Sequence, residues 1–229
     1  MYQANLPHSS PSPDISPPVI LTPIPSDRLA GVIGRLASEI GDPFARGVLA
    51  AIAATGADRA EGALAERHRR EALALAAEFG IATVESAPAD AFSWDGHRLR
   101  ADTEAYVLLH EVAHYQLAAP ERRTAIDFGL GPGPDTTNRD AAERASILPM
   151  LERDREEAMV SLLGILWEAE CGHPALASFL DQNWLAGAGS EADARHFAAV
   201  LHRLHARGFV DATGHPTRRL RSEPDDLSA

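Results

Sequence analysis

The chain of 229 residues contains no lysine; its 21 cations are all arginine, set against 33 aspartates and glutamates for a formal charge of -12. Without a side-chain amine, neither Schiff-base catalysis nor a P-loop can be built. The acidic balance also argues against general affinity for nucleic acid or anionic membrane, because neutralising phosphates requires a surplus of cations. Cysteine is nearly missing as well: Cys171 is alone, so no internal disulfide can form, which fits a reducing cytoplasmic setting. No run approaches the roughly 18 to 20 apolar residues that span a bilayer, and the N-terminus shows no basic leader. What is present is enough apolar side chain, 45%, to bury the core of one sizeable domain.

Proline divides the chain. Residues 1–26 hold seven of the sixteen prolines, mixed with serine, and read as an extended arm with a short apolar patch at Val19–Leu21. Ser26 and Asp27 then offer capping oxygens to an apolar-periodic run (Leu29, Val32, Ile33, Leu36, Ile40) that stops at Gly41-Asp42-Pro43. Alanine-rich helices are expected near 43–54 and 58–78. The β-branched residues of 81–85 and the Asp95-Gly96 turn inside 92–99 predict a small β element. Asp102 is placed to cap a helix from Thr103 to about Ala118, closed by Pro120. A Gly/Pro/Asp loop fills 129–138, and further helices are expected at 152–171 and 190–207. The fold class is therefore mostly α with a small β element (α+β): an arm at 1–26, a single domain at 27–215 and a frayed tail at 216–229.

The sharpest signal is His110-Glu111-Val112-Ala113-His114. At about 3.6 residues per turn, both histidines fall on one helix face and both imidazoles can reach one metal ion, with Glu111 about 100° round the helix. The apolar flank of Val107, Leu108, Leu109, Val112 and Leu117 would bury this helix, and buried polar groups left unpaired cost about 1 to 3 kcal/mol each. Two histidines need a third ligand. Position 120 is Pro120, which excludes the metzincin-type third histidine. The helix at 152–171 opens instead with Glu152, Asp154, Glu156 and Glu157. Such an acidic first turn also suits the helix dipole. Glu157, however, is followed at i+4 and i+7 by Ser161 and Gly164, small residues that would let this helix lie close to the histidine helix.

The stretch HEVAHYQLAAPERRTAIDFG from His110 resembles the signature of the elongation factor P hydroxylase family, non-haem metal enzymes that hydroxylate a modified lysine on that translation factor. The likeness runs through Ala118, Arg122, Arg123, Asp127, Phe128 and Gly129, then Pro134-Asp135 and the helix from Glu157 to Gly172. It weakens near His196–Gly208 and does not cover the first helices or the arm. Tyr115 stands where the family has tryptophan, and Leu130-Gly131-Pro132-Gly133 replaces an aromatic run. The resemblance implies a zincin-like HExxH helix packed on a second ligand-bearing helix, with His110, His114 and Glu157 as metal ligands and Fe(II) as the ion. It further implies O2 as co-substrate and elongation factor P or another protein as partner.

Two imidazoles and one carboxylate leave open positions on an octahedral Fe(II). On that reading Glu111 handles protons, Asp127 orients a ligand histidine through its other ring nitrogen, and Arg122, Arg123, Tyr115 and Asp135 surround the site or the substrate. The rival is a zinc peptidase with the same ligands and Glu111 as general base, although Ser161 occupies the place where such enzymes carry an aspartate. A third reading is a metal-stabilised helical module without catalysis. His202 and His205, one turn apart, read as a solvated face; Cys171, Trp94, Trp167 and Trp184 read as core.

Overall fold

Proline placement sets the first two helices. Pro25 is the N-cap of α1 (Ser26–Glu39) and Pro43 lies in the first turn of α2 (Pro43–Ala53), where a missing N–H breaks no intrahelical bond. In this computed structural model, which describes residues 24–85, 92–133 and 135–225, the elements that follow are α3 (Gly62–Glu78), β1 (Ala82–Val84), β2 (Arg98–Arg100) and α4 (Ala105–Leu117). Short 3-10 turns occupy Pro120–Thr124 and Ile126–Gly129, and α5 (Arg139–Arg144), α6 (Met150–Glu170), α7 (Ala175–Asp181) and α8 (Glu191–Ala206) complete the order. The described residues are thus mostly helical, with eight helices and one two-stranded sheet. Val19–Leu21 and most of the proline arm, Pro134 and residues 226–229 lie outside them.

Three local expectations change. Neither Ser26 nor Asp27 caps α1, since the N-cap is Pro25 and no side chain bonds there. Asp102 does not cap α4 either; its carboxylate takes the Arg100 guanidinium at 2.6 Å, and the helix starts later, after Glu104. The Asp95 carboxylate does fold back onto the His97 and Arg98 amides as a turn should. The antiparallel pairing it makes is a single bridge, Trp94 to Leu99, while Arg98–Arg100 pairs in parallel with β1 in the register Thr83 to Leu99.

α4 is the centre of the fold. It packs between α3 and α6, and α6 in turn meets α2, α7 and α8, with α1 lying on α2 and α8. Val107, Leu108, Leu109, Val112, Ala113 and Leu117 of α4 are all buried. At about 1.5 to 3 kcal/mol for each large apolar side chain, this burial outweighs the cost of enclosing the helix's polar residues. The close approach of α4 and α6 rests on Gly164: a Cβ there would lie 3.1 Å from His110 Cα and 3.4 Å from its nitrogen. Ser161, one turn earlier, accepts the Trp184 indole N–H at 2.9 Å.

The segment 216–225, expected to fray, is strapped along α4. Gln116 is the clasp. Its amide N–H groups donate to the Thr217 and Arg219 carbonyls, its side-chain oxygen accepts from Trp167, and its backbone oxygen accepts from Arg221. Among the described residues no helix is long and apolar enough to cross a membrane.

Candidate metal centre

α4 presents His110 and His114 toward α6, which presents Glu157. The two Nε2 atoms lie 3.1 Å apart, and Glu157 places its oxygens 3.1 Å from His110 Nε2 and 3.4 Å from His114 Nε2. The rings stand at 80° to each other, and both Nε2 atoms lie against the Glu157 carboxylate. Two Nε2 atoms facing each other this closely require a proton or a cation between them, and three donors around one point favour the cation. His110, His114 and Glu157 therefore form a group able to hold one metal ion.

The surroundings prepare those charge states. Burial holds His114 down at about 3, against the pull of Glu157, so this imidazole is neutral, the form that ligates. For His110 burial acts in the same direction, but the Glu157 carboxylate outweighs it and raises the pKa above the ordinary value. Partial burial works against ionisation of Glu157, and the two imidazoles overcome it, holding the carboxyl at about 2. Glu111 behaves in the opposite way. It is 3% exposed and burial lifts it to about 8, so it carries a proton at neutral pH; its Oε1 has no partner.

A cavity of about 650 Å³ opens onto the three ligand atoms. Its wall includes Glu104, Tyr106, Glu111, Asp135, Arg139 and Gln182. Four buried polar atoms of this wall lack hydrogen-bond partners: Glu111 Oε1, Asp135 Oδ2, Gln182 Oε1 and His114 Nδ1. Such groups cost about 1 to 3 kcal/mol each when left unpaired. All four are closed off from solvent, so a change of conformation is needed before any of them meets a bound group.

Asp127 lines the same cavity but does not hold a histidine. Its carboxylate accepts from the Trp94 and Gly133 amides, both at 3.1 Å, and from the Thr136 hydroxyl at 2.6 Å. It ties down the 127–136 loop, while His114 Nδ1 stays free. Asp127 and Phe128 adopt left-handed backbone angles, φ 42° and 55°, at a cost of order 1 to 3 kcal/mol each. That conformation stacks the Phe128 ring between His114 and Trp94 at centroid distances of 5.5 and 5.2 Å.

The arginine pair points away from the cavity. Arg122 is 1% exposed and donates to Glu156 Oε2 at 2.6 Å, to the Phe128 carbonyl at 2.7 Å and to Asp225. Arg123 lies over the Tyr115 ring and bonds the Tyr115 and Arg221 carbonyls. Tyr115 packs edge-on to Trp94. These three side chains support the site from behind. Glu104, Tyr106, Arg139 and Gln182 went unforeseen; only Tyr106 carried a signal, lying four residues before His110 and hence on the same face. His202 pairs with Asp42 at 2.9 Å and His205 meets the Val210 carbonyl, so neither joins the other in a ligand set. Cys171 is partly buried, its thiol pushed up to about 11 chiefly by burial, and Trp94, Trp167 and Trp184 are core. Comparison with protein-family models, curated proteins and solved structures finds no match to this chain.

Proposed function

We propose that His110, His114 and Glu157 hold Fe(II), and that the protein is a non-haem iron hydroxylase of the kind the HEVAHYQLAAPERRTAIDFG stretch resembles. The observation that carries this reading is the convergence of two imidazole nitrogens and a carboxylate within 3.4 Å at the wall of an open cavity. A 2-His-1-carboxylate set with open positions suits ferrous iron, which would supply activation of O2 for inserting one oxygen into a C–H bond, with two electrons from an external reductant taking the second oxygen to water. The chain's own residues do the rest. Phe128 stacks on His114 and fixes its plane; Gly164 lets Glu157 approach; Glu111 holds a proton at the cavity wall. On this reading the substrate is a modified lysine on a protein, elongation factor P or another, entering by the cavity that opens onto the three ligands.

A zinc peptidase remains the second reading, because Glu111 sits at the cavity wall where a general base would act. Ser161, bound to Trp184, orients no ligand. One experiment separates the two. Protein purified anaerobically is loaded with Fe(II) or Zn2+ and incubated with O2, a two-electron reductant such as ascorbate and a candidate protein substrate, and intact masses are recorded. Gain of one oxygen with iron supports the hydroxylase, and cleavage fragments with zinc support the peptidase. Metal content undiminished in both His110→Ala and Glu157→Ala would sink either reading.

A further inference from the structure

A second set of ligand-type side chains lies outside this centre. His68 and Glu71 are neighbours on one face of α3, and His173 follows Gly172 at the end of α6; one donor atom from each lies within 4.8 Å of the other two. His173 is fixed in place. Gly172 turns the chain with φ 72°, the His173 amide donates to the Glu168 carbonyl at 2.8 Å, and its Nε2 is 2.9 Å from Glu71 Oε2. Its side chain is 1% exposed, yet its Nδ1 has no hydrogen-bond partner. The His68 ring is stacked on that of His173, centroids 4.0 Å apart and 18° from parallel, and is itself buried. No hydrogen bond holds the His68 ring among the described residues.

Two stacked, buried imidazoles, one with an orphaned nitrogen, make an expensive interior unless something binds there, and the half-exposed Glu71 carboxylate sits at their edge. His68 and His173 border a separate cavity of about 490 Å³, which gives an ion a way in and leaves room for water. The cations on that cavity's wall are already engaged: Arg59 with Asp181 and Ser178, Arg69 with Glu66 and the Ala101 carbonyl. Among the described residues only Arg67, 3.7 Å from Glu71 and largely exposed, competes directly for the carboxylate.

We propose that His68, Glu71 and His173 form a second site for a divalent transition-metal ion of the Zn2+ class, tying α3 to the turn that follows α6. Imidazole and carboxylate together suit Zn2+, Ni2+ or Cu2+ better than Mg2+ or Ca2+. The geometry also sets its rank. His110 and His114 stand at 80° and already converge, whereas near-parallel rings share no in-plane point. His68 must turn out of the stack to ligate, so this site binds more weakly than the first.

The test is Zn2+ stoichiometry by equilibrium dialysis and elemental analysis, with Co2+ absorption as a second readout. Five full-length proteins are compared: wild type, His110→Ala, His68→Ala, Glu71→Gln and the double variant His110→Ala/Glu71→Gln. Two equivalents on the wild type and the loss of one in each of His68→Ala and Glu71→Gln are expected. The Co2+ spectrum left in His110→Ala should vanish on adding Glu71→Gln. Glu71 is 43% exposed, so its substitution decides the matter even where His68→Ala fails to fold. Wild-type stoichiometry retained in Glu71→Gln, or no binding at all, overturns the proposal. An equivalent lost in Glu71→Gln but not in His110→Ala would keep this site and refute the first one.

Discussion

Replacing Arg122 by methionine removes the one cation that reaches Glu156, Asp225 and the Phe128 carbonyl together. Glu156 and Asp225 each have side chains 8% exposed, so the substitution leaves two enclosed carboxylates facing Arg221 alone. That residue lies 2.9 Å from Asp225 but 3.9 Å from Glu156. Breaking a buried pair by removing one partner costs about 3 to 5 kcal/mol. The charge left on Arg221 argues for the lower half of that range, and the lost carbonyl bond adds about 1 kcal/mol. We expect a loss of about 4 to 5 kcal/mol in urea denaturation monitored by tryptophan fluorescence at neutral pH. The companion Arg122→Met/Glu156→Leu should recover a large part of it, because the carboxylate with the poorest remaining partner is gone. A single substitution costing under about 1 kcal/mol, or a double no more stable than the single, would refute the view that this network is a closed charge balance. Since Glu156 adjoins Glu157 and Phe128 stacks on His114, metal affinity should fall in the single substitution as well.

The other predictions concern parts that stand apart from that network. Gly164→Ala gains about 1 kcal/mol of helix propensity but pushes a Cβ against His110 Cα, so its stability should stay within about 1 kcal/mol of wild type; Gly164→Leu should lose about 2 to 3 kcal/mol or more and most metal affinity, read by thermal melting and metal titration. Glu111→Gln tests the buried acid in metal-free protein. A carboxyl raised to about 8 contributes stability fully present below its unfolded pKa near 4.5 and lost as pH rises towards 8, so the variant should gain on wild type across that window, by roughly 3 to 5 kcal/mol at its alkaline end; a pH-independent difference in melting temperature would refute the assignment. For His114, held at about 3, the neutral form is the folded one, so its contribution is present above pH about 6.5 and is lost as pH falls towards 3. Asp127→Ala leaves three donors, at Trp94, Gly133 and Thr136, without their acceptor and should cost about 2 to 4 kcal/mol and open the 127–136 loop to limited proteolysis, while Asp127→Asn, which tolerates the left-handed backbone, should cost less.

The helices that carry the centre could be read because their signals are local. The apolar set of α4, its histidines four apart, and the small residues at Ser161 and Gly164 each follow from a period of about 3.6 residues; they mark the two helix faces, while the choice of Glu157 among the acidic residues of the first turns of α6 comes from the resemblance. Helix starts could not be read as well. Asp102 has the right chemistry for a cap, but Arg100, two residues away, claims its carboxylate first, and nothing in the sequence ranks an ion pair above a cap. The roles of Asp127, Arg122 and Gln116 were hidden for a different reason. Asp127 reaches back to the Trp94 amide, 33 residues away, Arg122 to Asp225, 103 away, and Gln116 to Thr217, 101 away. Such partners are decided by the packing of α4 against α6, which a linear pattern does not contain.

His173 shows the same limit from the other side. In the row of residues it is part of Gly172-His173-Pro174, a helix ending, and His68-x-x-Glu71 is an unremarked face of an alanine-rich helix. Only when α3 and α6 both pack around α4 do the three meet, and then a residue read as punctuation becomes a ligand-type group with a buried, unpartnered nitrogen. The two sets differ in one respect that packing alone decides. At the first centre, Gly164 lets α6 come close enough for a carboxylate to face crossed imidazoles; at the second, α3 and the turn after α6 meet so that the imidazoles stack. Crossed rings are prepared for an ion and stacked rings must move to take one. Affinity should therefore rank in that order even though both sets contain two histidines and a glutamate.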